Sequence, residues 1–161
     1  QPPIHAMRRH ILHMAETHAT LVCVGETGCG KSTQVPQCIL DDDPSARIAC
    51  TQPRRLAAKT LAQRVAQERC TPLGQEVGFA VSREQARSRA TRCTFMTPGL
   101  LLQLLVFEGP AAVLKRYSHI VVDEAHERDI DMDLLLLFLR RLVHYPPAVD
   151  AGAGAEGGPE C

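Results

Sequence analysis

The chain has no net charge, no C-x-x-C pair and no apolar run long enough to span a bilayer, and each absence narrows what it can be. Its 161 residues carry 18 Lys or Arg against 18 Asp or Glu, so nothing in the overall charge marks a partner. The seven cysteines (23, 29, 38, 50, 70, 93 and 161) are odd in number and lack metal-type pairing. Most stand in apolar segments, where a free thiol acts as a small core residue. With no secretory leader in view, this usage predicts a reducing compartment, nucleus or cytoplasm. The Leu-rich run from Leu134 to Leu139 is too short to cross a membrane.

What is present reads as one ordinary globular domain, 45% hydrophobic and 22% charged. The neutral total hides an uneven distribution. Arg47 to Arg92 holds ten Lys or Arg against three Glu, which leaves eight basic and fifteen acidic residues elsewhere. A basic middle suits a polyanion partner and equally suits a solvated Arg-rich surface.

The most informative stretch is Gly25-Glu26-Thr27-Gly28-Cys29-Gly30-Lys31-Ser32-Thr33, which fits G-x-x-x-x-G-K-[ST]. Its glycines let backbone N–H groups close around a polyphosphate. Thr20 to Val24 before it is apolar and partly β-branched, which predicts a buried strand. Ser32 to Leu40 predicts a helix, whose N-terminus offers free donors and a positive dipole end to an anion. Lys31 would reach the β- and γ-phosphates, and the Ser32 hydroxyl would ligate Mg²⁺.

Elsewhere the chain alternates strand and helix patterns. Residues 3 to 18 predict an amphipathic helix with Ile4, Met7, Ile11, Met14 and Ala15 on its apolar face. Its histidines (5, 10, 13 and 18) suit a solvated face better than a metal site. Arg47 to Thr51 predicts a strand and Arg54 to Arg69 a helix with Leu56, Leu61 and Val65 inward. Glu76 to Val81 predicts a weaker strand, Arg83 to Arg92 an exposed connection and Cys93 to Met96 a short strand. Thr97-Pro98 reads as an N-cap followed by proline, opening a helix to Phe107. His119 to Asp123 is an apolar strand ending in a carboxylate, and Asp131 or Asp133 is expected to cap a last helix to about His144. This alternation predicts an α/β fold with a mostly parallel sheet, whose ligands sit at the strands' carboxyl ends. Residues 146 to 161, rich in Gly, Ala and Pro, predict a disordered tail.

Asp123-Glu124-Ala125-His126 follows its strand as a Walker B motif must. The aspartate there can hold Mg²⁺ through water, and the glutamate can orient the water that attacks the γ-phosphate. Together with the phosphate loop and Thr51-Gln52-Pro53-Arg54-Arg55-Leu56-Ala57-Ala58, the stretch Asp123-Glu124-Ala125-His126-Glu127-Arg128 resembles motifs I, Ia and II of the DEAH-box RNA helicases. The resemblance runs from about Ile4 to Tyr145.

That resemblance implies a P-loop NTPase fold, RecA-like, over residues 1–145, with 146–161 as a tail. It implies ATP as substrate with Mg²⁺, bound by Gly25, Glu26, Thr27, Gly28, Cys29, Gly30, Lys31, Ser32 and Thr33. Ser32 and Asp123 would hold the metal, Lys31 the phosphates, and Glu124 would be the catalytic base. His126 would couple the nucleotide site to neighbouring motifs. Arg64 matches the family arginine that stacks on the adenine face, although a solvated helix arginine is the plain alternative. Arg54 and Arg55 would lie along the RNA backbone, giving sequence-independent affinity. Thr97 stands at another backbone contact, where the family commonly has an acidic residue and this chain has Pro98. The Thr97 hydroxyl is expected to cap the helix. RNA is the implied partner, with a ribonucleoprotein complex or activator protein beside it and no membrane.

The resemblance stops near Tyr145. In the family a further strand and a Ser-Ala-Thr motif follow, then a second RecA-like domain that supplies an arginine finger. Here the chain turns to low complexity, so the C-terminal part of the domain is expected to be missing. The family's next strand runs between the phosphate-loop strand and the Asp123 strand. Without it, backbone groups at the sheet centre would lack partners and the chain would be marginally stable. Two functional readings follow. One is the ATP-binding half of an RNA helicase, its isolated activity weak. The other is a catalytically inactive module that binds nucleotide or RNA. An unrelated P-loop kinase or transporter ATPase would explain neither the paired arginines nor His126.

Overall fold

The computed structural model describes residues 3–26 and 28–147. Thr27 and the stretch from 148 onward, which carries most of the expected tail, lie outside the described residues. The elements run from a 3₁₀ turn (Pro3–Met7) to α1 (Arg8–Thr17), α2 (Lys31–Asp42), β1 (Ile48–Thr51), α3 (Arg55–Glu68) and β2 (Val77–Val81). They continue with β3 (Glu84–Ala86), β4 (Cys93–Met96), α4 (Pro98–Phe107), α5 (Pro110–Arg116), β5 (His119–Val122) and α6 (Ile130–His144).

One sheet, in the order β3-β2-β4-β1-β5, organises them, with every pairing parallel except β2 with β3. Parallel strands are covered on both faces, which is why β1, β2 and β4 are short apolar runs without polar alternation. The two-residue side-chain period divides the core. Ile48 and Cys50 pack with Phe79, Phe95 and the inner faces of α2 and α3, whereas Ala49 and Met96 pack with Leu101, Leu105 and Leu135 under α4 and α6. Burial pushes the Cys93 thiol up to about 12 and the Cys50 thiol well above its ordinary value, so both are inert core residues.

The amino ends of the strands are clamped by charge to the carboxyl ends of the helices. The Arg69 guanidinium donates to Glu76 Oε2 at 2.8 Å and Asp41 Oδ1 at 2.7 Å, and Arg92 donates to Glu76 Oε1 at 3.0 Å and to the Leu40 and Asp43 carbonyls. The clamp ties the ends of α2 and α3 to the entries of β2 and β4.

Several expectations are corrected. Residues 20 to 24 are not a strand: they join no ladder, and Val22 and Val24 are 79% and 93% exposed. An apolar, β-branched run has only a propensity until a neighbour supplies the ladder. β1 has both neighbours already, and the outer edge of β5 is unpaired among the described residues. Arg83 to Arg92 is not wholly a connection, because Glu84–Ala86 returns antiparallel along β2. β2 itself is fully buried, hence not a weak strand. Leu56 is 76% and Met7 51% exposed, whereas Val65 is buried as expected and α3 completes its inner face with Ala58, Ala62 and Ala66. Small residues let that helix approach the sheet closely. The α6 cap is Asp129, which accepts from Met132 N at 2.7 Å, rather than Asp131 or Asp133.

Candidate functional site

The Gly-rich loop turns directly into α2. Gly28 (φ 82°) and Gly30 (φ 93°) adopt the left-handed backbone that a Cβ resists, so these two positions require glycine. Gly30 precedes the first helical turn, which holds Lys31 and Ser32 and leaves its N–H groups free of helical partners. The Lys31 ammonium folds back over the loop, donating to Gly25 O at 2.6 Å and Glu26 O at 2.8 Å and lying 3.4 Å from Cys29 Sγ. Thr33 Oγ1 donates to Gly30 O at 3.4 Å. The loop is closed around its own cation.

A second cluster forms where β1 and β5 end side by side. Asp123 N donates to Thr51 O at 3.2 Å, which holds the two carboxyl ends together. Gln52 Nε2 donates to Asp123 Oδ2 at 2.7 Å, and Asp123 Oδ1 accepts from Glu124 N at 3.0 Å. Both carboxylate oxygens are therefore fixed. Glu124 has φ 52°, a conformation uncommon outside glycine and one that gathers at working sites. His126 Nδ1 lies 3.5 Å from Glu124 Oε2, and Arg54 Nη2 pairs with Glu127 Oε1 at 3.1 Å. The Gln52–Arg54 segment and the Asp123–Glu127 turn thus meet through two contacts.

The remaining site candidates are placed separately. Arg64, on α3, donates from Nε to Glu68 Oε1 at 3.0 Å, and Glu68 Oε2 accepts from Gln34 and Gln37 of α2 at 2.9 and 2.7 Å. Burial pushes the Glu68 carboxyl up. Its hydrogen bonds from Gln37, Arg64 and Gln34, with the Arg64 charge, outweigh that and hold it below its ordinary 4.5. Arg55 Nη2 donates to Ser82 O at 2.6 Å. The Thr97 hydroxyl makes no cap bond, contrary to expectation. Proline at the first helical position removes one N–H that would otherwise need an acceptor. The basic middle is not one patch, since Lys59 is paired with Glu84, Arg64 with Glu68, Arg69 with Glu76 and Asp41, and Arg92 with Glu76.

Among the described residues no hydrogen bond joins Lys31 or Ser32 to Asp123 or Glu124. Nor does any group of three or more His, Cys, Asp and Glu form a ready metal cage among them. One hydroxyl and one carboxylate suit Mg²⁺ nonetheless, because that ion keeps several waters and takes its other ligands from substrate phosphates. A cleft of about 400 Å³, bounded by Leu12, Glu16, Asp42 and His119, lies at the amino end of β5 and so away from these groups.

Sequence reading assigned no role to Gln52, Glu127, Glu68, Gln34 or Gln37. Only Glu68 had a local signal, its i,i+4 spacing from Arg64. The others act across 71 to 73 or 31 to 34 residues of chain.

A mostly parallel sheet between helices, with a glycine-rich loop entering a helix and an Asp-Glu pair at a strand's carboxyl end, defines a RecA-like α/β domain. Residues 6–142 match the DEAD/DEAH box helicase family model, and the chain belongs to that family. It is 46% identical over 144 residues to the probable ATP-dependent RNA helicase DHX35 homolog of Caenorhabditis elegans, covering 88% of this chain and 19% of that one. It is 45% identical over 148 residues to the putative ATP-dependent RNA helicase DHX57 of Homo sapiens, covering 88% and 10%. The probable ATP-dependent RNA helicase DHR2 of Saccharomyces cerevisiae is 43% identical over 148 residues, covering 89% and 20%. The chain spans about a tenth to a fifth of the length of these relatives. No single described helix is long and apolar enough to cross a membrane.

Proposed function

We propose that this chain is the ATP-binding half of an RNA helicase, taking ATP with Mg²⁺ and contributing to hydrolysis coupled to RNA unwinding or remodelling. The observation that carries this reading is the 2.7 Å bond from Gln52 to Asp123. It joins the segment bearing Arg54 and Arg55 to the carboxylate pair, so an RNA-facing stretch and a nucleotide-facing stretch share one contact. Ser32 and Asp123 would hold Mg²⁺, which when bound offsets phosphate charge. Lys31 would exchange its loop carbonyls for the β- and γ-phosphates. Glu124, its backbone fixed by the Glu127 N–Glu124 O bond at 2.8 Å, would orient the attacking water, with His126 beside it. Arg54, Arg55 and the uncommitted Thr97 hydroxyl would meet RNA phosphates. RNA processing in nucleus or cytoplasm, within a ribonucleoprotein complex or under an activator protein, belongs to the same reading.

One observation favours weak catalysis by this chain alone. The exposed segment 20–24 does not anchor the phosphate loop to the sheet, so the loop is not held in register with Asp123. Nucleotide binding without turnover is the expected behaviour. Titration with a ribose-labelled fluorescent ADP in Mg²⁺ tests both statements. Saturable binding that Lys31→Ala abolishes, with hydrolysis near background, is the expected result. Equal binding by the variant would remove the phosphate loop from the reading.

A further inference from the structure

We infer that Glu68 is a positioning residue that sets the Arg64 guanidinium against the nucleotide base while tying it to the phosphate loop. The inference rests on the reading of Arg64 as the base contact. Glu68 is the last residue of α3, one turn beyond Arg64, and its two oxygens are divided between two helices. Oε1 takes Arg64 Nε at 3.0 Å, and Oε2 takes Gln34 Nε2 at 2.9 Å and Gln37 Nε2 at 2.7 Å. A carboxylate only accepts, so both glutamine amides must turn their nitrogens toward it.

Each of those nitrogens has a second hydrogen, and both reach Thr33. Gln34 Nε2 donates to Thr33 Oγ1 at 3.4 Å and Gln37 Nε2 to Thr33 O at 3.1 Å. Thr33 in turn donates to Gly30 O. A continuous set of hydrogen bonds therefore runs from the loop glycine through Thr33, the two buried glutamines and Glu68 to Arg64. Gln34, Gln37 and Thr33 are 9%, 9% and 4% exposed, so this end of the relay is fixed by the core. The Arg64 side chain is 65% exposed and, among the described residues, bonds only to Glu68. Holding Nε leaves the planar group and its terminal nitrogens facing outward, the form in which a guanidinium stacks on a ring. Glu68 touches no ligand in this arrangement. It fixes how far the base contact stands from the phosphate contact.

The test compares ribose-labelled ADP with inorganic tripolyphosphate, which has phosphates and no base, competing for the same site. Four variants are used: Lys31→Ala, Arg64→Ala, the isosteric Glu68→Gln, and Arg64→Ala with Glu68→Gln together. Glu68→Gln keeps the shape of the side chain but retains one acceptor oxygen, so the two glutamines and Arg64 cannot all be served. The expected result is a loss of ADP affinity of about 3- to 30-fold for Arg64→Ala, the range of a partly desolvated cation–π contact. Glu68→Gln alone loses a comparable factor, the double variant loses no more than Arg64→Ala, and tripolyphosphate affinity stays within about twofold in these three variants, whereas Lys31→Ala loses affinity for both probes.

Equal loss of ADP and tripolyphosphate affinity in Glu68→Gln would make the residue a support of the phosphate loop and overturn the inference. So would full additivity in the double variant, or a Glu68→Gln protein that melts as the parent does and binds ADP unchanged. An Arg64→Ala protein with unaltered ADP binding would instead remove the base contact itself. Unaltered binding in Lys31→Ala would remove the nucleotide site.

Discussion

On the proposed reading, Arg54 is the residue at which RNA phosphate and the Asp123–Glu127 turn compete. Its guanidinium is 76% exposed yet pairs with Glu127 at 3.1 Å, on the turn that follows Asp123 and Glu124. An exposed pair of this kind contributes little, commonly about 0.2–1 kcal/mol, so a phosphate can displace the carboxylate at small cost. Glu127→Gln should free Arg54 and raise affinity for single-stranded RNA about 1.4- to 5-fold, the same energy expressed as a ratio. Arg54→Ala should weaken binding and flatten the plot of log affinity against log salt by about 0.7, the release expected for one single-strand phosphate contact. Filter binding across a salt series reads both. An unchanged slope in Arg54→Ala would place the RNA track elsewhere. The motif residues were all visible as local patterns, since glycine spacing, an Asp-Glu pair after an apolar run and paired arginines are adjacent in sequence. Their cross-links were not. Gln52 to Asp123 and Arg54 to Glu127 bridge 71 and 73 residues, and no spacing rule reaches that far.

Among the elements, legibility followed burial. β1, β2, β4 and β5 and the helices α2, α3, α4 and α6 announce themselves through apolar runs and periodic apolar positions, because the core that holds them is written as composition. The short β3 does not. It is three residues long, polar and largely exposed, and its strand character comes from the partner beside it. Seven-residue α5 was also missed, although Gly109 and Pro110 mark its start. Gly78 shows what the hairpin demands of its partner strand. A Cβ there would stand 2.3 Å from Ala86 O, a backbone atom that cannot rotate away. Glycine inside a strand often marks such a close backbone approach. Gly78→Ala should cost about 1–3 kcal/mol, as overpacking does elsewhere, and the damage should be local. Amide exchange is expected to speed up across Glu84–Ala86 while β1 and β4 keep their protection. Uniform loss across the sheet would show that β3 is integral to the core rather than an edge ribbon.

At the scale of the molecule, the two halves of the sheet are unequal. The β2–β4–β1 side is covered on both faces and clamped at its amino end by Arg69, Glu76 and Arg92. The β5 side is open: its residues are only partly buried, and Ile130, Leu137 and Tyr145 on and after α6 are 78%, 61% and 76% exposed. Residues 20 to 24 have the composition of a buried strand and yet join no ladder that would hold them as one. The reading from sequence and the structure differ most here, and the difference is physical. A buried strand is specified by its neighbours as much as by its own side chains, and a run of Leu, Val and Cys cannot encode whether a neighbour is present. Val24→Lys separates the two states. With Val24 93% exposed, the substitution should change stability by no more than about 0.5 kcal/mol, the ordinary range for a surface position. A strand buried in the sheet would instead have to bury an unpaired ammonium, which a protein resists strongly enough to shift its ionisation or unfold locally. Thermal melts of the parent and Val24→Lys should superimpose. A drop of several degrees would mean that this segment joins the sheet in solution. The phosphate loop would then be anchored to the sheet, and tighter nucleotide binding would be expected from the chain alone.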